Sequence, residues 1–138
     1  MHYIYKDESS DEWFFPDEAY ILSETDERGI IIYANDLFCQ LAGYKLNELI
    51  GEPHNIVRHP DMPRIAFKGL WDDIQSKGFW TGVVKNQRKD RAYYWVYATA
   101  IRKVSHDGSI TYLSVRVKPS RADVKACTEL YADLKESE

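Results

Sequence analysis

At 138 residues the chain has the length of one domain with short extensions. Hydrophobic residues make up 44% and aromatic residues 14%, enough apolar surface for a packed core, which excludes wholesale disorder. The net charge of −4, with its basic residues scattered, gives no nucleic-acid footprint, and no apolar run reaches the roughly 20 residues of a membrane span. The start, MHYIYKDESSDEWFF, lacks the basic-then-apolar order of a secretory signal. Cys39 and Cys127 are too few for a disulfide framework or a zinc cluster. The chain reads as a cytoplasmic protein with no direct membrane insertion.

Residues 1–19 form an acidic leader around an apolar cluster of Trp13, Phe14, Phe15 and Pro16, either a flexible arm or a cap that docks its aromatics. From Tyr20 two short apolar runs, AYILSETD and Ile30 to Tyr33, flank the turn Glu27-Arg28-Gly29 and predict a hairpin. Asn35 is placed to cap a short helix whose stripe is Leu37, Phe38, Leu41 and Ala42 and which Gly43 ends. Leu46 to Leu49 gives one further turn. PHNIVRHPDMPR carries Pro53, Pro60 and Pro63, so it reads as loop with at most single helical turns.

IAFKGLWDDIQ then returns to helical spacing, with Ile65, Phe67, Leu70, Trp71 and Ile74 as the stripe. Three strands follow: Trp80 to Arg88, Tyr93 to Val104 and Ser109 to Lys118. They are joined by Lys89-Asp90-Arg91 and by the Asp107-Gly108 turn. Ser120 with Asp123 opens a last helix with the stripe Val124, Cys127, Leu130, Tyr131 and Leu134. The order predicts an α+β domain: a five-stranded antiparallel sheet with a helical cleft on one face, an N-terminal cap and a C-terminal helix. The expected divisions are an arm over 1–19, a central domain over 20–119 and a helix over 120–138.

The strand from Tyr93 to Ile101 is apolar on both faces, so it sits inside the sheet. One face carries Tyr93, Trp95 and Tyr97 and suits docking of the N-terminal aromatics or the last helix. The other shrinks from Tyr94 to Val96, Ala98 and Ala100. Small residues there leave room either for a flat ligand or for a closely packed helix.

GIIIYANDLFCQLAGYKLNELIGEPHNIVRHPDMP, WTGVVKNQRKDRAYYWVYATAI and GSITYLSVRVKPS resemble a PAS domain, in particular that of bacterial aerotaxis (energy-taxis) receptors. The likeness runs from about Ile21 to Lys118, and His54-Asn55-Ile56-Val57-Arg58-His59-Pro60-Asp61-Met62-Pro63 is its most specific stretch. It implies a PAS fold that binds FAD without a covalent bond and reports redox state. It further implies that Arg58, His59 and Asp61 lie in the cofactor region, that Trp71 and Asn86 line it, and that Asn86 holds the ring edge. Flavin-binding PAS domains often carry Gln where Arg116 stands, so Arg116 is a departure.

The chemistry of these residues suits that role. Arg58 offers a bidentate fork for a pyrophosphate, and Asp61 is able to orient Arg58 or His59. Phe67 and Trp71, one helical turn apart, suit packing against a ring or adenine face. An Asn86 amide both donates and accepts, while Arg116 would stabilise negative charge gained on reduction. Each has a plainer alternative: a surface Arg58–Asp61 ion pair, loop histidines at 54 and 59, a core Trp71, and Asn86 bonded to a turn. The Asn-Cys-x-x-Phe-Leu-Gln motif of photoreactive flavin domains is missing where PHNIVRHP stands, so adduct photochemistry is not expected.

The resemblance implies a signalling input, either excised or standing alone, that acts on a chemoreceptor transducer of HAMP or methyl-accepting type at the inner membrane. A haem-binding gas sensor with His59 or His54 as axial ligand is one alternative. The other is a cofactor-free module that forms a homodimer through the N-terminal cap or the outer sheet face. An enzyme is not expected, since no nucleophile–base pair or metal-ligand spacing stands out.

Overall fold

Residue Asn35 shows how short polar side chains set this fold. Its Oδ1 accepts from the backbone N–H of Phe38 and of Leu22, both at 3.1 Å, and its Nδ2 donates to the Tyr20 carbonyl at 2.9 Å. One amide thus caps α1 (Asp36–Ala42) and ties it to β3 (Ile21–Thr25), which pairs in a hairpin with β4 (Ile31–Ala34). The computed structural model describes residues 3–138, and Met1 and His2 of the arm lie outside the described residues.

At its other end α1 stops at Gly43, whose φ of 75° is the left-handed conformation that glycine adopts without strain. α2 (Leu46–Leu49) and a single 3₁₀ turn (His54–Val57) follow, so the proline-rich stretch holds only single turns as expected. α3 (Arg64–Lys77) leads into β5 (Phe79–Gln87), β6 (Tyr93–Val104) and β7 (Ile110–Val117), and α4 (Arg121–Glu136) ends the chain. Among the described residues no helix is long and apolar enough to cross a membrane.

The sheet order β4-β3-β7-β6-β5 is antiparallel throughout and is the five-stranded sheet the sequence predicts. The structure adds β1 (Tyr5–Lys6) and β2 (Glu12–Phe14) from the N-terminal arm. β6 starts four residues before its ladder with β7 begins at Tyr97↔Val117, and β2 pairs in parallel with that stub at Glu12↔Tyr93 and Trp13↔Tyr94. Of the two readings of the arm, the docked cap is the one that forms. Glu12 is buried and accepts two bonds from the Arg121 guanidinium (2.7 and 3.1 Å), while Phe15 is 1% exposed.

Residue alternation divides the sheet into two faces. Ile21, Tyr94 and Val96 face inward and pack with Leu37, Phe38, Leu41 and Leu49 as the main core, each worth about 1.5–3 kcal/mol when fully buried. Val83 and Trp95 face outward, where Val124 covers them and Tyr131 stacks on Trp95 with ring centroids 6.4 Å apart. The bulky face of β6 is therefore where the last helix docks.

Candidate functional site

Between the inner face of the sheet, α3 and the 53–58 loop lies a cleft of about 350 Å³, open on one side. The sheet register explains its depth. Ala98 stands between Gly82 and Arg116, and Ala100 between Trp80 and Ser114, so the floor is built from small side chains. Gly82, beside Ala98 on the ladder, leaves space for the Trp80 ring, which lines the cleft. A Cβ there would lie 2.4 Å from the Trp80 ring, which folds down over it. The small face of β6 thus makes room and is not filled by a helix.

Arg116 of β7 is the dominant charge at this site. It is 2% exposed and its guanidinium lies 4.4 Å from the Phe38 ring centre. Nη2 donates to Ser23 Oγ at 2.7 Å, while Nε and Nη1 have no partner among the described residues. No carboxylate compensates it among its described hydrogen bonds and ion pairs, and burial pulls its pKa down to about 10. An uncompensated buried cation costs several kcal/mol unless something satisfies it.

Asn86 of β5 adds a second unsatisfied donor. It is buried, and its Nδ2 and the hydroxyl of Tyr94, its neighbour across the ladder, interact with each other but meet no partner of ordinary hydrogen-bond geometry among the described residues, while burial pushes the Tyr94 hydroxyl up to about 12. Its amide therefore does not bond a turn. Native proteins leave few buried polar atoms unpaired, so this cluster has the donors to take up a polar group or water.

Five of the seven residues singled out above line the cleft: Arg58, Phe67, Trp71, Asn86 and Arg116. Arg58 lies with its guanidinium 3.9 Å over the Phe67 ring, which occupies one face of that ring. Trp71 is 41% exposed and meets Tyr112 edge-on, so it is not plain core. His59 and Asp61 stand outside the cleft wall. Asp61 pairs with Lys85 (2.9 Å) and not with Arg58, and the Lys85 ammonium holds its carboxyl below the usual range. His59 Nδ1 accepts from the Asp61 backbone N–H at 3.0 Å. With Lys85 N–H on Met62 Sδ, these contacts fasten the loop beside the Arg58–Asn86 backbone bridge.

Ser23, Thr25, Trp80 and Tyr112 line the cleft without having been singled out, and His54, read as a loop residue, lines it too. The alternation Ile21, Ser23, Thr25 carried the signal for the two hydroxyl residues. His54 had none: its position depends on the loop folding back onto the hairpin, with His54 N–H on the Gly29 carbonyl at 3.0 Å.

Residues 31–115 match the family model described as the PAS fold, and the chain belongs to the PAS family. Its sequence is of the aerotaxis-receptor type: it is 42% identical to the aerotaxis receptor of Escherichia coli strain K12 over 118 residues, 86% of this chain and 23% of the receptor. It is 35% identical to a nitrogen fixation regulatory protein of Klebsiella oxytoca over 54% of this chain and 15% of that protein. The chain thus spans less than a quarter of either relative. Solved structures share the fold. A light-oxygen-voltage domain studied with a flavin analogue superposes with a TM-score of 0.67 at 24% identity, over 83% of this chain and 86% of that one. A PAS domain from Colwellia psychrerythraea gives 0.67 at 21%, over 76% and 91%. The chain is a PAS sensor domain of the kind found in signalling proteins.

Proposed function

We propose that this domain binds FAD without a covalent bond and senses redox state, passing the signal to a chemotaxis transducer of HAMP or methyl-accepting type. The observation that carries the reading is the set of unsatisfied donors at the cleft: Arg116 Nε and Nη1 with Asn86 Nδ2. A flavin ring edge presents carbonyl oxygens and ring nitrogens, which these donors match. A cleft of about 350 Å³ is within the range of ligand pockets, and Arg58 is among the residues lining it. The E. coli relative's description as an aerotaxis receptor points the same way.

The flavin would supply reversible electron transfer. The chain's own residues then have separable tasks. Arg116 stabilises negative charge at the ring edge, and Asn86 orients that edge by donating from Nδ2. Trp80 and the alanine floor exclude water from the inner face, and Arg58 answers a phosphate at the mouth. His59 and Asp61 act through the loop that carries Arg58. A haem reading gains nothing from this arrangement, because His59 stands outside the cleft and His54 Nε2 is 3.0 Å from Ser23 Oγ.

On this reading the domain works in the cytoplasm, beside the inner membrane through its transducer. It forms a homodimer through the cap or the part of the outer face that α4 leaves open, where Phe79, Tyr97 and Ile101 are exposed. The test is FAD titration of protein stripped of any bound cofactor, followed by flavin fluorescence. The native chain saturates, Arg116→Met weakens binding at least tenfold, and the surface variant Lys125→Ala binds normally. Equal affinity for the native chain and Arg116→Met would sink the assignment.

A further inference from the structure

The one acceptor that Arg116 has among the described residues is a hydroxyl, and that hydroxyl is itself one step in a chain. Ser23 Oγ receives Arg116 Nη2 at 2.7 Å and lies 3.0 Å from His54 Nε2. The three residues come from β7, β3 and the 3₁₀ turn, so three separate parts of the chain converge on one row of polar atoms. A guanidinium has donors only, so Ser23 Oγ must accept from it, and the single Ser23 hydroxyl hydrogen is available to His54. Donation from Arg116 to Ser23 and on to a bare His54 Nε2, with the ring hydrogen on Nδ1, is one of two patterns this geometry allows, since the second lone pair of Ser23 Oγ could instead accept from an Nε2–H; the chain proposed here is the first. Desolvation, reinforced by the Arg116 charge, lowers the His54 imidazole to about 3, in keeping with a neutral ring.

The chain type matters. A carboxylate in place of Ser23 or His54 would fix Arg116 equally well but would cancel its charge. A serine hydroxyl and a neutral imidazole fix it and leave the charge whole. We propose that Ser23 and His54 are positioning residues that hold Arg116 at the cleft wall with Nε and Nη1 uncommitted, keeping an intact positive charge ready for an anionic or carbonyl-rich ligand edge. The ligand side of this inference rests on the flavin reading above, whereas the hydrogen-bond chain itself does not.

The first test therefore uses cofactor-free protein. Nitrogen-15 NMR of labelled histidines is expected to show His54 with Nε2 unprotonated and Nδ1 protonated from about pH 5 to about pH 8. Ser23→Ala moves the Nε2 resonance, and Ser23→Thr, which keeps the hydroxyl, restores it. A protonated Nε2, or one that does not respond to loss of the hydroxyl, overturns the chain. The second test measures FAD affinity and midpoint potential for Ser23→Ala, Arg116→Gln and the double variant. Ser23→Ala is expected to weaken binding about fivefold and lower the potential, with no further loss when Arg116 is already replaced. Additive losses would mean that Ser23 acts independently of Arg116 and would overturn the positioning role. If Ser23→Ala does not fold, His54→Leu removes the far acceptor and carries the same expectation. Failure of every variant and of the native chain to bind FAD would refute the flavin reading while the NMR result still decides the chain.

Discussion

Arg116 and His54 have opposite relations to the solvent they have lost. Arg116 keeps its charge, and a unit charge a few ångströms from a redox group in a partly polar interior is worth on the order of 2 kcal/mol. Arg116→Gln is therefore expected to lower the midpoint potential of the loaded domain by about 100 mV, read by spectroelectrochemical titration. Equal potentials would remove Arg116 from the ring edge. His54 loses its charge instead. Its unfolded value is the ordinary 6.5 and its folded value is about 3. As pH falls through that window the unfolded chain binds the proton first, so stability is full above about 6.5 and declines toward about 3. Thermal melts at stepped pH should show this slope, and His54→Gln should flatten it. At this scale the sequence was partly legible. Asn86 and Arg116 sit on strands whose parity aims them inward, and they line the cleft. His59 and Asp61 share a loop with Arg58 but point their bonds at Lys85 and at each other, which no local pattern records.

Elements succeed or fail here on a few backbone-directed contacts. The β5–β6 ladder depends on Gly82, because Trp80 covers it. Gly82→Ala is expected to displace the indole, cost about 1–3 kcal/mol of stability and reduce flavin uptake, measured by denaturant melts and by FAD titration. An unchanged affinity would show that Trp80 does not shape the ligand side. Asn35→Ala removes a helix cap together with the ties to Leu22 of β3 and to Tyr20 just before it, and should cost about 1–2 kcal/mol by the same melts, without altering the cleft floor. Most elements could be read from periodicity and turn chemistry: the Tyr93–Val104 strand appears with the bounds expected, and Asp107-Gly108 makes its turn. β1 and β2 could not. They are two and three residues long, their aromatics do not alternate, and β1 pairs with β2, whose own partner strand is some eighty residues away.

Across the whole molecule the termini are built into the sensor. The arm pairs with β6, Trp13 lies under the Arg88 guanidinium at 4.0 Å, and Arg88 in turn bonds the Gln40 carbonyl at the end of α1. α4 covers Trp95, is tied to β2 through Arg121, and is followed by Glu138, whose carboxylate accepts from the first backbone N–H and the side chain of Arg64 at the start of α3. The wall that carries Phe67 and Trp71 is thereby linked to the end of the chain. Deleting residues 1–18 should lower the melting temperature, since it removes Phe15 and the β2–β6 pairing, and should change the oligomeric mass in light scattering. An unchanged mass would exclude the cap as the dimer element.

The reading as a flavin sensor is tested most directly by the absorption spectrum of the purified protein, with heat release and chromatographic identification of whatever is bound. Two bands in the near-ultraviolet and blue, bleached by dithionite and restored by air, with FAD in the supernatant, are the expected result. A Soret band, or a colourless protein that also refuses added FAD, would contradict it.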